Sequence, residues 1–149
     1  MLLKTMLRRV YHALQNKHSA ELAYWKKCYR KEGESFSNTH YEKLMLAMAQ
    51  ERDQEFMREK VVADFGCGPR GSLAWVHSAK VLYGIDVLIP QYLKYFYRSM
   101  RQHGMIYISC DEHHIPMPDG CVDIIYSLNA LDHVQDLPSS FFARTRRGE

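Results

Sequence analysis

An apolar run, Val61-Val62-Ala63, ends in an acid at Asp64 and gives way to three closely spaced glycines, Gly66, Gly68 and Gly71, before a second apolar run opens at Leu73. The β-branched pair Val61 and Val62 favours a buried strand, while Gly66 and Gly68 allow positive φ and close approach of a ligand to the backbone. The pattern predicts strand, tight turn and helix start, with Gly71 letting that helix pack close to the sheet. A glycine spacing of this kind is a weak signature by itself. Asp64 narrows it, because a carboxylate just ahead of the glycines opposes a pyrophosphate and suits an ammonium group or a ribose hydroxyl.

The chain around this turn has the means to build a core. Its 149 residues are 46% hydrophobic and 25% charged, an ordinary globular balance. The net charge of +3 is concentrated early: Lys4, Arg8, Arg9, Lys17, Lys26, Lys27, Arg30 and Lys31 are set against Glu21 and Glu32 alone. A solvated helix face accounts for such a segment more simply than nucleic acid, an acidic substrate or a membrane surface. Cys28, Cys67, Cys110 and Cys121 form no CxxC pair, so neither a zinc module nor a disulfide framework is expected, and no metal. With no apolar run long enough for a signal core or a membrane span, the expectation is a soluble, cytoplasmic protein.

Along the chain, Leu3, Met6, Leu7, Val10, Tyr11 and Leu14 recur at helical spacing. A second helix is expected from Ser19, carrying Leu22, Trp25 and Tyr29 until Gly33 stops it. A third, from about Tyr41 to Lys60, would bury Leu44, Met45, Met48, Ala49, Phe56 and Met57, the methionines serving as core filler. These helices make an N-terminal segment, residues 1–59, ahead of a domain from 60 to 149. After the glycine turn a short helix over Leu73 to Ala79 and a strand over Val81 to Asp86 complete a βαβ unit. Pro90 opens the next helix, with Ile89, Leu93, Phe96 and Met100 buried and Gly104 at its end. Met105 to Ser109 and Val122 to Ser127 read as two more strands, joined by a loop from Cys110 to Gly120. Another turn or helix is expected from Leu128 to Val134, and one capped at Pro138 to Ser140.

The fold class is therefore α/β, a mostly parallel sheet of four visible strands with N-terminal helices. Ligands of such sheets bind beyond the carboxyl ends of the strands. Four ends meet there: Asp64 with the glycines, Asp86, Asp111 with Glu112, and Ser127 to Asn129. Asp86 follows the first glycine by twenty residues, which suits a carboxylate accepting from both ribose hydroxyls. Asp111 is an acceptor matched to an exocyclic adenine amine. For each acid taken alone, a helix cap or a turn is the competing role.

The order of these features resembles the class I S-adenosylmethionine-dependent methyltransferases, in particular the group with motifs of the form DxGCGPxGSL. Asp64 to Leu73 is similar to the first motif, and Gly84-Ile85-Asp86 to the acidic strand end. Ile115 to Asp123 resembles the family's LPFPDxxFD stretch, and Ser127 to Val134 its segment after the fourth strand. The resemblance spans about residues 60 to 136, with weaker support from Glu21 and Trp25. It implies a Rossmann-like sheet with strand order 3-2-1-4, and S-adenosylmethionine lying along Gly66, Cys67, Gly68 and Gly71, its ribose on Asp86 and its adenine against Val87, Asp111 and Glu112. The methionine part would lie near Asp64, Ser127 and Asn129. Positioning supplies most of the rate in methyl transfer; a general base is optional, and Asp132 and His133 are candidates for it by position.

Three departures qualify the resemblance. Met117 and Val122 replace usual aromatics, and Val87 stands where proline or alanine is common. The family's later strands are not found, which implies a fragment whose fourth strand is an exposed edge open to a protein partner. The function expected is methyl transfer to a small-molecule or glycan-type acceptor. A truncated cofactor-binding or partner subunit without catalysis is the alternative, and an NAD(P)-dependent oxidoreductase ranks below both.

Overall fold

The computed structural model describes residues 2–111 and 114–128, in two compact units, Met1–Phe36 and Ser37–Glu149. The first unit holds one helix, α1 (Leu2–Lys31). The helix expected to start at Ser19 is not separate: no glycine or proline interrupts the stretch, and an interior serine costs only tenths of a kcal/mol in helix propensity, so α1 runs through it. Its end is where glycine placed it. Gly33 (φ 75°) closes a Schellman turn in which Glu34 N–H donates to Tyr29 O (2.9 Å) and Gly33 N–H to Arg30 O (3.3 Å). Beyond it Phe36 folds back edge-on to Trp25 and packs at a tilt on Tyr29, centroids 5.9 and 5.0 Å away.

The second unit begins with α2 (His40–Ala49), much shorter than the helix expected there. Gln50 takes the left-handed conformation (φ 57°), and Glu51 N–H caps Leu46 O at 3.0 Å. Asp53 then accepts from Glu55 N–H (2.9 Å) and starts a separate 3-10 turn, Gln54–Met57. Breaking the helix changes which residues are buried. Met45 and Met57 enter the core with Tyr41, Ala49 and Phe56 against them, whereas Leu44 and Met48 stay exposed.

The sheet contains β1 (Val61–Phe65), β2 (Val81–Asp86), β3 (Ile106–Ser109) and β4 (Ile124–Ser127), all parallel in the order β3-β2-β1-β4. This is the order expected of a Rossmann-like fold. Asp123 fixes the register of β4: its carboxylate accepts from Val61 N–H and its own N–H donates to Val61 O, both at 2.8 Å. One face packs Val62, Leu82 and Tyr126 with Met45, Met57, Leu73 and Val76. On the other, Ala63 and Ile85 meet Cys110, Ile115 and Val122 from the β3 to β4 connection.

Between β1 and β2 the expected helix is absent, so the crossover is not a βαβ unit. Successive turns, Ala74 N–H to Gly71 O and Val76 N–H to Leu73 O (both 3.0 Å), carry the chain instead. The next amides are taken by a side chain: Gln54 Oε1 accepts from His77 N–H (2.6 Å) and Ser78 N–H (3.0 Å), and Ser78 Oγ donates to Gln54 O (2.8 Å). Gln54→Ala is expected to lower stability by about 1 to 2 kcal/mol in urea unfolding, because two amides lose their acceptor. An unchanged midpoint would show that water replaces it freely.

After β2, α3 (Ile89–Met100) carries its proline in the first turn. The buried stripe is Ile89, Tyr92, Phe96 and Met100 rather than the one with Leu93, which is 37% exposed. Phe96 is non-helical (φ −126°), so the helix kinks where its largest apolar ring meets the core. The helix itself stops before Gly104, but turns continue to His103, whose N–H donates to Met100 O at 3.2 Å. No described helix is long and apolar enough to cross a membrane.

Candidate functional site

The glycine turn is fastened to β2 from below. Ile85 O accepts from Gly66 N–H (2.8 Å) and Cys67 N–H (3.3 Å). Asp86, buried at the end of β2, accepts from Gly68 N–H through Oδ2 (3.1 Å) and from Leu88 N–H through Oδ1 (2.9 Å). The acid thus joins the turn to the start of α3. A carboxylate oxygen can accept more than one hydrogen bond, so this role leaves Asp86 able to receive a hydroxyl as well.

Asp64 is a different kind of acid. It is 2% exposed, accepts from the Ser72 hydroxyl through Oδ2, and its Oδ1 has no hydrogen-bond partner among the described residues. Burial pushes its carboxyl up to about 7; the Ser72 hydrogen bond opposes this and the charge of Asp86 adds to it. The Ser127 hydroxyl, at the end of neighbouring β4 and paired in register with Phe65, is also buried without a partner among the described residues. Trp75 Nε1 and the Tyr126 hydroxyl complete this set among the described residues, but Tyr126 packs in the core beside Met45 and feels the charge of Glu51. Two polar atoms at adjacent strand ends, Asp64 Oδ1 and Ser127 Oγ, therefore find no partner among the described residues.

The two buried thiols, Cys67 and Cys110, are poorly suited as nucleophiles. Burial, reinforced by Asp86 and Asp64, raises the Cys67 thiol well above its ordinary range, and burial with Asp86 and Asp111 pushes Cys110 up to about 12. Among the described residues no group of three His, Cys, Asp or Glu could hold a metal ion.

The other expected site residues separate into three groups. Gly66, Cys67, Gly68 and Gly71 form the turn beside Asp64 and Asp86. Val87 packs with Ala63, Ile85 and Ile115 behind the strand ends. Asp111 is exposed and closes its own loop, accepting from His114 N–H (2.7 Å) while its N–H donates to His114 O (3.1 Å). Glu112, Asn129, Asp132 and His133, with the turns or helices expected from Leu128 and Pro138 onward, lie outside the described residues. Ser72, His103 and Tyr107 are close to the turn but carried no expectation. Ser72 stood inside the quoted motif; the other two have no spacing that marks them.

A four-stranded parallel sheet with a glycine turn after its central strand, an acid at that strand's end and a second acid at the next defines a Rossmann-like fold of cofactor-binding type. Residues 63–147 match the model of the methyltransferase domain family, and the chain belongs to that family. These are class I methyltransferases, and the family implies use of S-adenosylmethionine. Among solved structures, the chain is similar to a SAM-dependent methyltransferase from Aquifex aeolicus, with 19% identity and a TM-score of 0.54 over 75% of this chain and 68% of that one. At that identity the likeness carries the fold. No curated protein matches the chain.

Proposed function

We propose that the crevice above β1, β2 and β4 binds S-adenosylmethionine and that the protein transfers its methyl group to a small-molecule or glycan-type acceptor. The observation that carries this is Asp64, a buried carboxyl at a strand end with one oxygen that has no partner among the described residues. A cation is the ligand such a group calls for, and the methyl donor brings an ammonium and a sulfonium. Asp64 and Ser127 would hold the methionine end, the amides of the Gly66 to Gly71 turn would lie along the cofactor, and Asp86 would receive the ribose. Val87 and Asp111, with Glu112 and Asn129, are the remaining proposed contacts.

When bound, the donor supplies an electrophilic methyl group. The protein's part is to orient it, to keep water away through the apolar packing behind Ala63 and Ile85, and to bring the acceptor into line. Asp132 and His133 are the proposed bases, needed only where the acceptor must lose a proton.

Calorimetry with S-adenosylmethionine tests the reading, and binding of NADH in its place would overturn it. Asp86→Ala is expected to weaken the affinity more than tenfold, in keeping with the ~1.5 to 3 kcal/mol of a charge-assisted hydrogen bond. An unchanged affinity would remove Asp86 from the site. A second reading rests on β4, an edge strand among the described residues: a partner chain pairs there and the subunit binds cofactor without catalysis. Binding without methyl transfer to any extract would favour it.

A further inference from the structure

Two glycines of the second unit are held to that residue type by neighbouring rings. A Cβ on Gly71 would lie 2.4 to 2.6 Å from His103 Cγ, Nδ1 and Cδ2, so the imidazole lies flat against the end of the cofactor turn. A Cβ on Gly84 would lie 2.9 Å from Tyr107 Cδ1 and Cε1 and 3.0 Å from Cys67 Sγ. Tyr107 and Cys67, at the start of the turn, therefore share the space over the β2 backbone. The two rings are then joined to each other, with the Tyr107 hydroxyl 2.6 Å from His103 Nδ1 and the rings edge to face. That hydroxyl also lies 3.8 Å from Met105 Sδ. Which of the two donates in that bond follows the imidazole tautomer. His103 is buried, and burial lowers its affinity for a proton, so the neutral ring is favoured.

We propose that His103 and Tyr107 are positioning residues that hold both ends of the Gly66 to Gly71 turn, at Cys67 and at Gly71, in the shape that receives the cofactor. Its fastenings to β2 engage Gly66, Cys67 and Gly68, Asp64 engages Ser72, Arg70 Nη1 donates to Ser37 O and Gly71 O accepts from Ala74 N–H, while the nearest atoms a Cβ on Gly71 would meet are those of the imidazole. Because the pair comes from the turn that follows α3 and from β3, it links the turn to elements that carry no part of the motif around Asp64. The preorganisation half of this proposal rests on the cofactor assignment above; the restraint on the turn does not.

Tyr107→Phe keeps the ring over Gly84 and deletes only the hydroxyl, so it should leave the fold intact. In hydrogen exchange on the full chain, the amides of Gly68, Arg70, Gly71 and Ser72 are expected to exchange about tenfold faster while Val62 and Ala63 in β1 keep their protection. S-adenosylmethionine affinity by calorimetry should fall about fivefold, and His103→Ala, which uncovers Gly71, should lower it further. Unchanged exchange in the turn overturns the proposal, as does an equal loss of protection in β1, which would make the pair a general support of the fold. Faster exchange with unaltered affinity removes the preorganising role. Should the unsubstituted protein fail to bind S-adenosylmethionine, the cofactor assignment falls, and the exchange of the two variants still decides whether the pair restrains the turn.

Discussion

Gly71→Ala is expected to destabilise the protein by about 2 to 5 kcal/mol, from a left-handed backbone penalty of roughly 1 to 2 kcal/mol and an overpacking cost of roughly 1 to 3 kcal/mol. The first part follows from φ at 74°, and the second from a Cβ placed 2.4 Å from the His103 ring. The ring cannot simply swing away, since it is buried and joined to Tyr107. Gly104→Ala separates the two contributions: φ there is 66° but nothing lies within 4 Å of the added carbon. Urea unfolding should therefore show a loss of only about 1 to 2 kcal/mol at Gly104. Combining Gly71→Ala with His103→Ala should bring its added cost down to that level, a coupling that a double-mutant cycle reads directly. Equal losses at Gly71 and Gly104 with His103 in place would mean that the imidazole is not tight against the turn.

Asp64 makes the stability of the ligand-free protein depend on pH. In the unfolded chain its carboxyl titrates near 3.8, whereas burial raises it to about 7 in the fold. Between those values the folded protein holds a proton that the unfolded chain has given up. The contribution is therefore complete below pH 3.8 and is lost as pH rises through 7. At about 1.36 kcal/mol per unit of pKa the loss is on the order of 4 kcal/mol. His103 works in the opposite direction, because its neutral form is the one the fold prefers. Asp64→Asn isolates the acid: it keeps an acceptor for Ser72 and cannot ionise. The variant should unfold near the parent's midpoint at acid pH and well above it at pH 8, while binding S-adenosylmethionine poorly. A difference between variant and parent that does not change with pH would sink this account.

The sheet was legible because each strand carries its own evidence. Val81 to Asp86 is a β-branched and apolar run ending in an acid, and β2 occupies those residues. The order 3-2-1-4 followed from the resemblance that the Asp64 motif carries, and the same motif matches the methyltransferase domain family. What could not be read depended on contacts made across the chain. Leu73 to Ala79 has the composition of a short helix, but Gln54 captures the amides of His77 and Ser78 from a distant segment. Leu93 lies one residue from Tyr92 on α3, and a period of 3.6 does not distinguish them until the kink at Phe96 turns the face. The site divides in the same way. Local spacing marks Asp64, Asp86 and the glycines, whereas His103 and Tyr107 are known only by what a Cβ on Gly71 or Gly84 would strike.

The clip between Asp123 and Val61 bears on the order in which the protein assembles. β1 can pair with β2 across one short crossover, and β2 with β3 across α3, so three strands collect by successive closures of modest loops. β4 must return across 62 residues to lie against Val62. Closing that span costs more chain entropy than the shorter closures, so it is expected after them. A chain caught before that step would already display its glycine turn, while Ser127 would be missing from the crevice, so cofactor binding is the natural reporter of the final folding event.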